Sequence, residues 1–153
     1  MKRKIVIGFV VFALAFMSLA FMQRAEAVSK AYFATTYDAE IRTSNVDIPT
    51  RMEAGKKYRV RVTVKNNGTI KWEGHPFALS SRIYRGPSGS ATQRDELTPL
   101  VDLKGAVDTN GSHTFEYYVE APNYAGTYEL EWSMMRGSTK FGDKVRRTIT
   151  VTN

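Results

Sequence analysis

Hydrophobic and polar residues alternate one by one over residues 56–65, where Tyr58, Val60, Val62 and Val64 fall on one side and Lys57, Arg59, Arg61, Thr63 and Lys65 on the other. A period of two with β-branched residues on the apolar side predicts a strand buried on one face. Asn67-Gly68 predicts a turn after it, because both residues tolerate positive φ. The same period returns in HTFEYYVEAP, with Phe115, Tyr117 and Val119 opposite Thr114, Glu116, Tyr118 and Glu120. Asn110-Gly111 marks a turn before this run and Pro122 ends it. In TYELEWSMM, Tyr128, Leu130, Trp132 and Met134 share the inner side, leaving Glu129, Glu131, Ser133 and Met135 outside. The basic stripe of Lys57, Arg59, Arg61 and Lys65 is expected to face acids on an adjacent strand, either Glu129 and Glu131 or Glu116 and Glu120.

Further strands are predicted over residues 39–46, 76–84, 100–103 and 145–151, with turn residues clustered at 53–55, 86–89 and 123–126. Residues 28–37 (VSKAYFATTY) read as a leading arm that adds an edge strand, and residues 85–98 as a long polar loop. No stretch of ten or more residues after residue 27 shows a helical stripe. Seven to eight short strands punctuated in this way predict an all-β fold, an immunoglobulin-like antiparallel sandwich over residues 47–153 preceded by an arm and first strand over 28–46.

The succession MEAGKKYRVRVTVKNNGTIKW, then GSHTFEYYVEAPNYAGTYELEWSMM, then Phe141-Gly142 before a last strand, carries a family likeness. Its most specific pieces are Asn66-Asn67-Gly68-Thr69 followed by Trp72, and Ala121-Pro122 followed by Gly126-Thr127-Tyr128 and Trp132. Over residues 48–151 the chain resembles the immunoglobulin-like domain called the four-tryptophan domain, named from the autophagy cargo receptor neighbour of Brca-one. The resemblance implies a β-sandwich with a non-catalytic recognition role. It also implies bacterial relatives attached to enzymes or to surface proteins. This sequence holds two tryptophans, with Val62 where the receptor's strand tends to carry another.

The first 27 residues change the picture of where the domain works. A basic start, an apolar run from Ile5 to Met22 and Ala25-Glu26-Ala27 form the pattern of an export signal cut after Ala27. The run is close to the ~18 residues that can span a bilayer, so the alternative is an uncleaved anchor, the one route by which a membrane enters this reading. The expected location is therefore secreted, periplasmic or cell-surface. Although that is an oxidising setting, the chain has no cysteine, so packing and ladder hydrogen bonds must hold the fold. Taking Lys2, Arg3, Lys4, Arg24 and Glu26 out of 22 basic and 15 acidic residues leaves 18 and 14. A small surplus without a dense basic block argues against nucleic acid as a partner.

Catalysis lacks its parts. His75 and His113 have no nucleophile-elbow serine and no cysteine beside them, and Asp95-Glu96 reads as a solvated pair in the polar loop. No catalytic residue, metal ligand or cofactor is assigned. The expected inner set is Tyr58, Val60, Val62, Val64, Phe115, Tyr117, Val119, Tyr128, Leu130, Trp132 and Met134. The candidate contact residues are Trp72, Tyr84, Tyr118, Tyr124, Met135, Arg136 and Phe141, with Phe141 placed in a hairpin loop. Aromatics carry interface energy out of proportion to their number, so the expected role is an exported module for protein recognition or self-association. The alternatives are a carbohydrate-binding module stacking Trp72, Tyr84 or Phe141 on sugar rings, and an accessory subunit of an exported enzyme complex.

Overall fold

A computed structural model describes residues 22–34, 36–87 and 100–153. The apolar run up to residue 21 and the Asp95-Glu96 pair lie outside the described residues. The chain divides into two units, Met1–Thr35 and Thr36–Asn153. In the first, residues 22–34 form an α-helix, where an arm with an added edge strand was expected over residues 28–37. Propensity rather than periodicity explains the difference. Met22, Gln23, Arg24, Ala25, Glu26, Ala27, Lys30 and Ala31 are good helix formers, and Glu26 stands four residues before Lys30. Among the described residues, no helix is long and apolar enough to cross a membrane.

The second unit is built of β1 (Ala39–Glu40), β2 (Val46–Asp47), β3 (Arg51–Glu53), β4 (Lys57–Asn66), β5 (Trp72–Glu73), β6 (Phe77–Arg85), β7 (Val101–Asp102), β8 (Ala106–Val107), β9 (Ser112–Glu120), β10 (Gly126–Arg136) and β11 (Thr139–Thr152). In one sheet β4 pairs with β9 on one side and with β1 and β2 on the other, all antiparallel. The second sheet runs β3-β11-β10-β6-β7, and β5 pairs with β8 as a small separate ribbon. The chain passes from the first sheet to the second between β2 and β3, which lies parallel to β11. Two sheets sharing their first segment in this manner form an immunoglobulin-like sandwich.

Period two places the core as the sequence suggested. Val60, Val62, Val64, Leu130, Trp132 and Met134 are fully buried, and Phe115, Val119 and Tyr128 nearly so. Tyr58 and Tyr117 are half-buried, because each ring ends in a hydroxyl that takes a hydrogen bond. Tyr58 Oη accepts from the Glu53 amide at 2.7 Å, and Tyr117 Oη accepts from Trp132 Nε1 at 2.7 Å. The second bond joins β9 of one sheet to β10 of the other. Burial pushes the Tyr117 phenol up, although its hydrogen bonds with Ser81 and Trp132 pull the other way.

Gly68 acts differently from the expectation. The turn after β4 is organised by buried Asn66, whose Nδ2 donates to the carbonyls of Ile70 (2.8 Å) and Val107 (3.1 Å) while its Oδ1 accepts from the Gly68 amide at 3.0 Å. Gly68 is required there for close approach rather than for positive φ, since a Cβ would stand 2.4 Å from the Thr36 carbonyl oxygen. Gly142 serves both needs. Its φ is +66°, and a Cβ would meet the backbone oxygen and nitrogen of Ala39 at 2.4 and 2.5 Å.

Gly142 and Asp143 are extra residues in β11, where the register jumps from Ser133↔Lys144 to Met134↔Phe141. This bulge keeps Phe141 inside the sandwich, within a strand and not in a hairpin loop; the tight turn of the hairpin is Gly137-Ser138. It also lets β1 lie across the last strand, with the Ile41 amide donating to Asp143 Oδ2 at 3.3 Å. Gly142→Ala combines left-handed strain with backbone overlap and is expected to cost about 2 kcal/mol or more. Urea unfolding measures it, and a loss within error of zero would mean that β1 is not seated on the bulge.

Candidate functional site

Six of the seven expected contact residues separate into three groups, and Tyr84 lies apart from them within β6. Trp72 is fully buried and Phe141 nearly so, which removes both from any binding surface. Their rings complete a core cluster, Trp72 lying 5.9 Å from Phe77 in a stacked pair and 5.5 Å from Phe141 edge-on. Trp72 Nε1 has no hydrogen-bond partner among the described residues. The reason for burial is local: Trp72 begins β5, paired opposite Val107 of β8, and the bulge turns Phe141 inward opposite Met134. A sugar-stacking platform of Trp72, Tyr84 and Phe141 is therefore not formed.

The second group reaches the surface. Tyr124, in the turn between β9 and β10, is 80% exposed, while its carbonyl accepts from Tyr128 Oη at 2.8 Å. Arg136 is exposed at the β10–β11 turn with its guanidinium 4.7 Å over the Tyr37 ring. Met135 is half-buried on the outer face of β10.

Tyr118 belongs to the third group, the outer surface of β4 and β9, where it is 64% exposed. Lys57 stands opposite Glu120, Arg59 opposite Tyr118 and Arg61 opposite Glu116. Arg59 and Arg61 both reach Glu116 Oε2 at 3.1 Å. The basic stripe thus meets Glu116 and Glu120, while Glu129 and Glu131 lie in the other sheet. Exposed pairs of this kind contribute about 0–1 kcal/mol each and act mainly on register and solubility.

Among the described residues, β9 has β4 as its sole strand neighbour. Which of its backbone groups face the open side follows from the two ends of the ladder. The Ala121 amide donates to Lys56 O at 2.8 Å and the Asn66 amide to Gly111 O at 2.9 Å. Hydrogen-bonded positions alternate along an antiparallel pair. The odd-numbered residues of β9 therefore turn their N–H and C=O toward β4, and Ser112, Thr114, Glu116, Tyr118 and Glu120 turn theirs outward. These same five residues have exposed side chains. The other outer strands, β1, β2, β3 and β7, are only two or three residues long.

The outer face of the second sheet holds a feature that alternation alone could not disclose. Glu131 was placed on the solvent side, yet it is buried to 1% exposure. β10 is a central strand, so its outward side chains lie beneath those of β6 and β11. Arg82 Nε and Nη2 donate to Glu131 Oε1 at 2.9 and 2.6 Å, and Arg146 Nε donates to Oε2 at 2.9 Å. The Arg146 guanidinium in turn lies 3.4 Å over the Tyr84 ring, with Arg82 and Arg85 at 5.5 and 6.0 Å. Tyr84 is half-buried there. Burial pushes the Glu131 carboxyl up, but the hydrogen bonds and charges of Arg82 and Arg146 outweigh it and hold the carboxyl below its ordinary range. The visible signal was Glu131↔Arg82 and Glu131↔Arg146 cross-strand pairing, which requires strand order that one sequence does not supply.

The histidines are placed apart in role. His75 Nδ1 lies 3.9 Å from Asp102 at the exposed β7 edge, and His113 packs edge-on against Phe115 at 4.8 Å, where burial lowers its pKa. Among the described residues, no group of three or more His, Asp or Glu side chains is arranged to hold a metal ion.

Residues 45–151 match the family model described as the Ig-like domain from next to BRCA1 gene, and the chain belongs to that family. Among solved structures, it is similar to the CARDB domain of a Pyrococcus furiosus protein in complex with di-metal ions, at 14% identity and a TM-score of 0.52, over 76% of this chain and 90% of that one. It is also similar to the alkylpurine DNA glycosylase AlkC of Pseudomonas fluorescens bound to DNA containing an abasic site analog, at 8% identity and a TM-score of 0.50, over 76% of this chain and 31% of that one. At these identities the likeness is one of fold. A comparison with curated protein sequences finds no match.

A carboxyl whose folded pKa lies below its unfolded value of about 4.3 contributes stability that is present above that value and lost as pH falls through the folded pKa. Glu131→Gln should lower stability at pH 7 by about 1–2 kcal/mol, the half-exposed arginines keeping the figure modest. It should also flatten the acid loss below pH 5. Urea midpoints at pH 7 and pH 3 test this, and an unchanged difference between them in the variant would show that Glu131 is not the titrating group.

Proposed function

We propose that this chain is an exported, non-catalytic module that recognises another protein by accepting its strand along β9. The membership in an immunoglobulin-like family supports a binding module, and the basic-apolar start ending in Ala25-Glu26-Ala27 supports export. The observation that carries the reading is the open side of β9. Among the described residues it spans nine positions without proline, bulge or lysine, three of the devices that protect a sheet edge. A partner strand laid beside it would take ladder hydrogen bonds from Ser112, Thr114, Glu116, Tyr118 and Glu120, with Tyr118 as the aromatic contact. A second copy of the chain could use the same edge, so oligomeric state is measured alongside.

Tyr118→Pro is the discriminating variant. The Tyr118 N–H points away from β4, so proline there removes an edge donor and no internal ladder bond. The full chain is bound to an envelope fraction from the source cell, before and after protease digestion of that fraction, and its mass is followed by light scattering. Binding that disappears on digestion, is lost in Tyr118→Pro and is weakened at most about tenfold in Tyr118→Ala is the expected result. Binding unaffected by Tyr118→Pro would overturn the edge mechanism, and binding that survives digestion would transfer the assignment to a glycan.

A further inference from the structure

Among the described residues, the outer face of β6, β10 and β11 carries more positive charge than its own carboxylates neutralise. Arg82 and Arg146 close on Glu131 from either side. Lys144 and Lys140 stand on β11 opposite Ser133 and Met135. At the next step along β10, Glu129 has Arg85 and Thr148 across from it, one acid against one base. Among the described residues of this face, five cations, Arg82, Arg85, Lys140, Lys144 and Arg146, therefore stand against two carboxylates, Glu129 and Glu131. Burial, and then the charge of Arg82, lower the Lys140 pKa, with Lys144 acting in the same sense and Glu131 against it.

The cluster is organised before any ligand arrives. Glu131 holds both guanidiniums by their Nε edges, and Tyr84 lies under Arg146. Their side chains remain 38% and 41% exposed, so donors not used by Glu131 are presented to solvent. Immobilised charges bind with less ordering cost than the same charges on free side chains.

We propose that this face binds an extended acidic polypeptide segment carrying Asp or Glu at alternate positions. Lys144 and Arg146 are successive outward residues of one strand, spaced by two residues at about 3.3 Å each, which is the repeat of same-side side chains in an extended peptide. They take successive carboxylates along β11, while Lys140 and Arg82 flank the track. Nucleic acid fits less well, because base stacking needs an open aromatic ring and the Tyr84 ring is covered by Arg146. A membrane surface fits less well because Met135, half-buried, is the large apolar side chain available on the face. This site is separate from β9, so either can fail alone.

The test uses the full chain and a fluorescein-labelled peptide of alternating glutamate and serine, compared by anisotropy with a peptide of the same composition whose glutamates are clustered. Oligothymidylate and phosphatidylglycerol vesicles serve as the competing anions. The alternating peptide should bind about fivefold or more tightly than the clustered one and weaken as salt rises from 0.05 to 0.3 M. Lys144→Glu and Lys140→Glu, which leave the Glu131 cage untouched, should each weaken it about tenfold, whereas Lys57→Glu on the other sheet and Tyr118→Pro should not change it. Equal affinity for the two peptides, no effect of either lysine variant, or binding of oligothymidylate or vesicles in place of the peptide would overturn the proposal.

Discussion

The sandwich depends on how its two sheets are joined without a covalent link. Immunoglobulin domains of antibodies bridge their sheets with a disulfide beside a buried tryptophan, and this chain has no cysteine. Here a tryptophan makes a polar tie itself, Trp132 Nε1 of β10 donating to Tyr117 Oη of β9 across the core. Around that bond the inner faces supply apolar area from both sheets, including Val60, Val62 and Val64 of β4 and Leu130 and Met134 of β10. A buried indole N–H without a partner costs about 1–3 kcal/mol, so the bond selects one arrangement of the sheets as well as stabilising it. Trp72 shows the contrast. Its Nε1 lacks a described partner, and its place is secured by the rings of Phe77 and Phe141.

Period two was enough to read β4, β9 and β10, to assign their inner faces, and to predict an immunoglobulin-like sandwich. It failed where position in the sheet decides the outcome. Glu131 obeys the alternation, yet it is buried, because residues beside a central strand cover its outward side as well as its inward one. Phe141 was read into a hairpin loop, whereas the positive φ of Gly142 permits a bulge that keeps the ring within a strand and seats β1. Residues 28–37 were read as an arm adding an edge strand, whereas residues 22–34 form one helix that begins in the strong helix formers of 22–27. Gly68 was read correctly as a turn residue for the wrong reason, since the constraint is the distance to Thr36 and not the sign of φ.

The two outer faces differ in how their charges are settled. On the first sheet, Glu40 of β1, Asp47 of β2, and Glu116 and Glu120 of β9 stand across from the four bases of β4, so that face is nearly balanced and its distinctive property is the backbone edge. On β6, β10 and β11, one buried carboxylate fixes two arginines, so the distinctive property is an organised excess of charge. The family assignment covers both surfaces equally and does not choose between them. A module with one surface defined by backbone and another by charge can distinguish partners on independent criteria.

The pairing of β3 with β11 has a mechanical meaning. The two strands are parallel, and the Thr150 amide donates to Thr50 O while the Ala54 amide donates to Thr152 O, both at 2.8 Å. In a parallel pair, the start of one strand and the finish of the other lie at opposite ends. Tension drawing Thr50 away from Thr152 therefore slides the strands past one another and loads these bonds together, where a hairpin pulled from its open end would yield them one after another.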